Sequence, residues 1–398
     1  MTRSQGQILA VLVLGVAARL YVSTLGYTQD LNYTQSWVLQ YHAGGRAALL
    51  ANTIQMSTVP IAPFVFVALS HLPCSFRTSL AVFLTLIDAA VAGLLWWSVG
   101  GVAAALFFLN PISIIISGYQ RVTDNVALLF GFAAALTWDR RRPFSAALLL
   151  GGSLLWKHDL VLLPVWLALK PWPASPCQRD QGESAGCLAT PSRHRVSWLS
   201  GASLSQAILC FVIPYALWLA GLALYDPTLR IVTHMVNYRS TANAPLWFAF
   251  GVSNLMGRVP WLWLFLGAML LCGLRYRRCT AVEAFAVYCC CLVAFSTALA
   301  NHYLAIPLAG LAIGWNRWAA AYTFVGTVFE LSSDQGLHIG LLEGWLHVSG
   351  DGTGAVPWYR LMCLCLLLHL VTRNAPPTKH ENSNETPSPP TNALPPCA

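Results

Sequence analysis

Five apolar runs, each close to the length of a bilayer crossing, constrain this chain more than any other feature. They are "QILAVLVLGVAARLYVSTLGY", "SLAVFLTLIDAAVAGLLWWS", "SLSQAILCFVIPYALWLAGLAL", "VPWLWLFLGAMLLCGL" and "VEAFAVYCCCLVAFSTALA". A helix needs ~20 apolar residues to span the hydrocarbon core. Only helices and closed barrels satisfy every backbone group there. Composition agrees: 56% of the 398 residues are hydrophobic and 10% charged, against about 25% charged in soluble domains. The first run has no clear small-residue cleavage site, and further spans follow it. It therefore reads as a retained helix rather than a signal peptide.

The net charge of +8 is gathered in short clusters between the apolar runs, the pattern of cytoplasmic loops rather than of a nucleic-acid footprint. The clusters are "DRRRP" at 139–143, the Lys170 to Arg195 loop and "RYRR" at 275–278. With all three inside, residues 26–58 form a first external loop. The chain then returns through "VPIAPFVFVAL" to an internal "HLPCSFR" carrying Arg77. "GYQRVTD" lies outside. "FSAALLLGGSLLWKHDLVLLPVWLALK" reads as two half-helices with "KHD" at their apex. Residues 225–258 form a second external loop, and "NHY" at 301–303 is external. Residues 1–372 read as one polytopic domain, and the Pro-, Asn- and Thr-rich 373–398 as a disordered cytoplasmic tail. No internal repeat is evident, which counts against a secondary transporter. The twelve cysteines show no metal-ligand spacing. Cys177 and Cys187 share a basic, cytoplasmic loop where a disulfide is not expected.

On this map Asp139, Asp180, Glu183, Glu381 and Glu385 are internal and solvated. Asp88 and Glu283 fall within apolar spans, and Asp159 sits at the half-helix apex. Asp30, Asp124, Asp226, Asp334, Glu343 and Asp351 lie near the external surface. Asp30 stands alone in "YTQDLNYTQSW". It either marks a helix end or serves as a general base, with Tyr33 among the aromatic and amide groups that suit a sugar. Asn110-Pro111 breaks a helix, after which Gln120, Arg121 and Asp124 follow. Arg121 is either half of a loop ion pair or a bidentate anion contact. Tyr238 and Arg239 form a third group. Arg239 lies on the side that the positive-inside rule disfavours, so it is a phosphate contact or a snorkelling interfacial cation. His302 and Tyr303 form a fourth. Lys157 reaches a phosphate, pairs with Asp159, or snorkels inward.

Four of these segments, in order, resemble the C-type (GT-C) membrane glycosyltransferases that use polyprenyl-phosphate sugars. The carriers are Asp30, Tyr33 and Trp37 after the first helix, "NPISIIISGYQRVTDNVALLFGFAAAL", "GGSLLWKHDLVLLPV", and "VNYRS" with "HYLAIPL". The last two look like the bacterial mannosyltransferase-like branch, glycosyltransferase family 87. The resemblance covers roughly residues 5–372. It implies an all-α bundle of about 10–12 transmembrane or half-spanning helices, in the plasma membrane of a bacterium or the endoplasmic reticulum of a eukaryote. It also implies inverting transfer of a hexose such as mannose, outside the cytoplasm, from a polyprenyl-phosphate donor to a glycan, lipid or protein acceptor. Carried over, Asp30 is the base, and Arg239, Lys157 and Arg121 contact the donor phosphate. Tyr33, Gln120, Asp124, Tyr238, His302 and Tyr303 contact substrate. No second acid adjoins Asp30, so neither metal nor cofactor is expected. A transporter or flippase for a lipid-linked or amphipathic solute, and a non-catalytic assembly subunit, are the rival classes.

Overall fold

The computed structural model describes residues 3–53, 61–170, 201–225, 242–243, 261–296, 298–346 and 354–373. The described chain is helical apart from one two-residue antiparallel pairing, Ala242–Asn243 with Ala298–Leu299. Helix α1 spans Arg3–Thr24, α2 Gln29–Thr53, α3 Ala62–Ser70, α4 Phe76–Ser98, α5 Gly101–Phe108 and α6 Pro111–Ile115. A π-turn at Ile116–Gln120 leads into α7 at Asp124–Asp139, and α8 covers Pro143–Trp156. Next come a 3₁₀ turn at His158–Leu160, α9 at Leu163–Ala168, α10 at Gly201–Tyr225, α11 at Trp261–Arg275 and α12 at Ala281–Ala294. A 3₁₀ turn at Asn301–Ala305 opens the last part, which contains α13 at Ile306–Ile313, α14 at Arg317–Ser332, α15 at Gly340–Leu346 and α16 at Val356–Arg373.

Among the described residues, Gly6–Thr24 and Phe76–Ser98 are long and apolar enough to cross a membrane. The pair Gly101–Phe108 and Pro111–Gln120, bent by 50°, makes a third if counted as one span. The bend follows from the Asn110-Pro111 step. Asn110 leaves the helix with extended dihedrals, and its side chain caps the Ile112 amide, while Pro111 takes a first-turn position that needs no N–H donor. The other apolar helices are shorter, at 10–17 residues. Lys157 is extended between α8 and α9, so the "KHD" apex separates two short helices as expected.

The bundle has two distinguishable ends. At one, the Arg140 guanidinium stacks 3.6 Å from the Trp97 ring, and Lys170 donates to the Arg277 carbonyl at 3.4 Å. Asp139 belongs to this basic end but is not merely solvated: its two oxygens accept from the Ala281 and Val282 amides and cap α12. Glu283, expected inside an apolar span, instead closes a capping box with Thr280 at the same helix start. At the opposite end Trp156 donates to the Thr123 carbonyl and Thr28 meets Gln120.

Arg77 overturns part of the expected path. Its guanidinium lies 3.8 Å from the Tyr27 ring, whereas Trp97, at the other end of the same helix, meets Arg140. Arg77 is therefore at the end that carries Tyr27 and Asp30, not with the basic clusters. The reason is length: α3 has nine residues, about 13 Å of helix, and cannot carry the chain across before α4 begins. Instead α2 and α3 lie together against α4, burying Leu31, Trp37, Val38 and Phe66 with Leu80, Leu84 and Trp156.

One buried ionic group ties α1 to this frame. Arg19 and Asp88 are both fully buried and 2.8 Å apart. Arg19 also donates to the Gly15 and Phe108 carbonyls and to Ser113. Asn125 donates to the second Asp88 oxygen. Gly118 lets the π-turn approach closely, since a Cβ there would stand 2.8 Å from the Arg19 carbonyl oxygen.

Candidate functional site

The site is assembled where the α1–α2 link meets the starts or ends of four other elements. Gly26 holds φ at 152° with the Tyr119 ring against it, a combination that side chains rarely tolerate. The link it makes carries Asp30 into the first turn of α2. A carboxylate there is favoured by the positive helix end. The Asp30 side chain is 50% exposed, and its Oδ2 lies 4.0 Å from Nδ1 of His302, which is 16% exposed. The 3₁₀ turn after Ala300 brings His302 into this position. Burial lowers the His302 imidazole from its ordinary value, and Lys157 lowers it further; Asp124 and Asp30 pull the other way.

From His302 the charged and aromatic groups continue inward. Its ring meets Tyr303 edge-on at 4.5 Å. Lys157 Nζ stands 4.9 Å from the Tyr303 ring, contacts Asp124 directly and lies 3.5 Å from Asp159. Burial alone would lower the Lys157 ammonium, but Asp124 and Asp159 outweigh it and raise its pKa above the usual lysine range. Asp30, His302, Tyr303, Lys157 and Asp124 thus share one site although the chain scatters them. Asp124 pairs with Lys157 rather than with Arg121.

The neighbouring π-turn carries Gln120 and Arg121. Gln120 is buried and donates to Glu330 Oε2 at 2.6 Å. Arg121 takes a left-handed backbone conformation and donates to the Gly118, Ser23 and Gly26 carbonyls. Two of its three donations go to the end of α1 and the link beyond, where carbonyls lack helical partners. Arg121 thereby holds the strand of chain that leads to Asp30. Tyr33 is exposed and accepts from Gln29. Arg239 and Tyr238 lie outside the described residues.

Sequence reasoning gave no place to Glu330, and it set Arg77 on the internal side without a role. Glu330 is fully buried at the site end of α14, and its Oε1 has no hydrogen-bond partner among the described residues. Its only sequence signal is a lone acid within "YTFVGTVFELSS". Among the described residues no three His, Cys, Asp or Glu side chains converge as metal ligands. Compared with protein-family models, curated proteins and solved structures, the chain matches none of them.

Proposed function

We propose that the chain is a polytopic membrane glycosyltransferase of the C-type. It moves a hexose such as mannose, with inversion, from a polyprenyl-phosphate donor to an acceptor at the extracytoplasmic face. One observation carries this reading. Asp30 is the half-exposed carboxylate of a site otherwise made of buried or partly buried groups, and His302 stands beside it. The end bearing Arg140, Lys170 and Arg277 takes the cytoplasmic side by the positive-inside rule, which turns Asp30 outward.

In this mechanism Asp30 accepts the proton of the acceptor hydroxyl as that oxygen attacks the anomeric carbon. The bond to the donor phosphate breaks on the opposite face, and the polyprenyl phosphate leaves as a stable anion. A second carboxylate acting as general acid, as in glycoside hydrolysis, is not required. Lys157 supports the site rather than the phosphate, because its ammonium is engaged by Asp124 and Asp159, while Arg121 makes three donations to the Gly118, Ser23 and Gly26 carbonyls. Arg239 keeps its proposed role as a donor-phosphate contact.

The test incubates purified protein with a panel of polyprenyl-phosphate sugars and follows transfer or hydrolysis. Turnover that depends on Asp30 supports the reading. Movement of an intact lipid-linked solute across vesicles, unaffected by Asp30→Asn, would establish the transporter instead.

A further inference from the structure

Among the described residues Arg77 is a cation without an acid. It lies in the first turn of α4, directly after the cap that Ser75 makes to the Thr78 amide. A positive side chain is disfavoured there, because the helix end is itself positive and suits an anion. Among the described residues no carboxylate lies within ion-pair distance of Arg77; its contact is the face of Tyr27. A second cation is fastened to the same short link. Arg121, only 5% exposed, bonds the Ser23 and Gly26 carbonyls. Its Nη1 is buried with no hydrogen-bond partner among the described residues, and no acid pairs with it either. Burial and then the Arg77 charge lower Arg121 from its ordinary value, so the two guanidiniums lie within electrostatic reach of each other.

We propose that Arg77, backed by the charge of Arg121, forms a binding site for a lipid-borne phosphate beside the Asp30 end of the bundle. Two neighbouring guanidiniums with no counter-acid among the described residues repel each other, and a buried unpaired charge is costly. An anion held by the Arg77 guanidinium relieves both. Phosphate fits, because guanidinium presents paired donors to its oxygens. Arg77 makes the direct contact, and Arg121, whose other donors are engaged, supplies charge from beneath. The site rests on reading the Asp30 end as the reacting end, where such a phosphate is either that of the isoprenoid donor or that of a bilayer head group.

Binding is measured on the full-length protein in neutral detergent, by calorimetry, with three probes. They are farnesyl phosphate, farnesol, and dihexanoyl phosphatidylglycerol. Arg77→Gln is expected to weaken a phosphate-bearing probe by ~10-fold or more and Arg77→Lys by less, with farnesol unchanged. Arg140→Gln, which removes the matched stacked arginine at the opposite end, should change nothing. Thermal unfolding of each variant confirms that the fold persists. Arg77 dependence with farnesyl phosphate identifies the donor as the source of the phosphate. Dependence confined to phosphatidylglycerol identifies a bilayer lipid, and either result supports the site. Equal affinity of native protein and Arg77→Gln for both phosphate probes overturns it. No turnover is needed, so Arg77-dependent binding without sugar transfer would retain the site and reject the glycosyltransferase reading.

Discussion

Nε of Arg19 lies 2.8 Å from Oδ2 of Asp88, and neither side chain is exposed to solvent. The pair joins α1, few of whose residues are buried, to the middle of α4. Breaking it from one side strands a buried charge, at a cost of about 3–5 kcal/mol. Arg19→Met and Asp88→Leu, each alone, should therefore lower the unfolding temperature in detergent by several degrees. The double substitution should cost less than the sum of the two. Single variants that unfold like the native protein would show that α1 is held by apolar packing alone.

Asp30→Asn should cut sugar transfer by at least ~100-fold, the lower range for loss of a general base. The side chain is half exposed and keeps its size, so expression and unfolding temperature should stay near native. Near-native turnover in this variant would reduce Asp30 to a helix-end residue.

Lys157 balances Asp124 and Asp159, so its removal should be felt as lost stability before lost donor affinity. Lys157→Met leaves two buried carboxylates facing each other. Adding Asp124→Asn removes one of those charges and should restore part of the stability. A Lys157→Met protein with native stability but a raised donor KM would return Lys157 to the phosphate.

His302 sets a pH limit. Its folded-state pKa lies below the ordinary value because of burial. The unfolded chain therefore binds a proton first, and stability falls as pH drops below about 6.5. Asp30, Asp124 and Lys157 face the imidazole, and the two acids partly counter the burial. Replacing His302 with Gln should flatten the loss of unfolding temperature as pH falls below about 6.5. An unchanged slope in that variant would place the acid sensitivity elsewhere.

Topology is open to a direct check. Cysteines at positions 30 and 77, introduced singly into a background without native cysteines, should be labelled from the same face of the membrane. A cysteine at 140 should be labelled from the other. Labelling of 77 together with 140 would contradict the placement of α2 and α3 on one side.

The sequence alone determined what depends on neighbours along the chain. Apolar runs made the chain helical, and Asn110-Pro111 broke one helix because the caps and the missing proline donor act within a turn. "KHD" separated two short helices, and Asp30 and His302 stood out as polar groups at helix ends. Tertiary structure decided the rest. Nothing local in "HLPCSFR" shows that α3 is too short to cross, so the side taken by Arg77 followed from packing against α4. Nothing local couples Arg19 to Asp88, Gln120 to Glu330, or Lys157 to Asp124 rather than to a ligand. Each of those pairs buries a polar group, and a buried polar group is tolerable only beside its partner. The partner's identity exists only once the helices are packed.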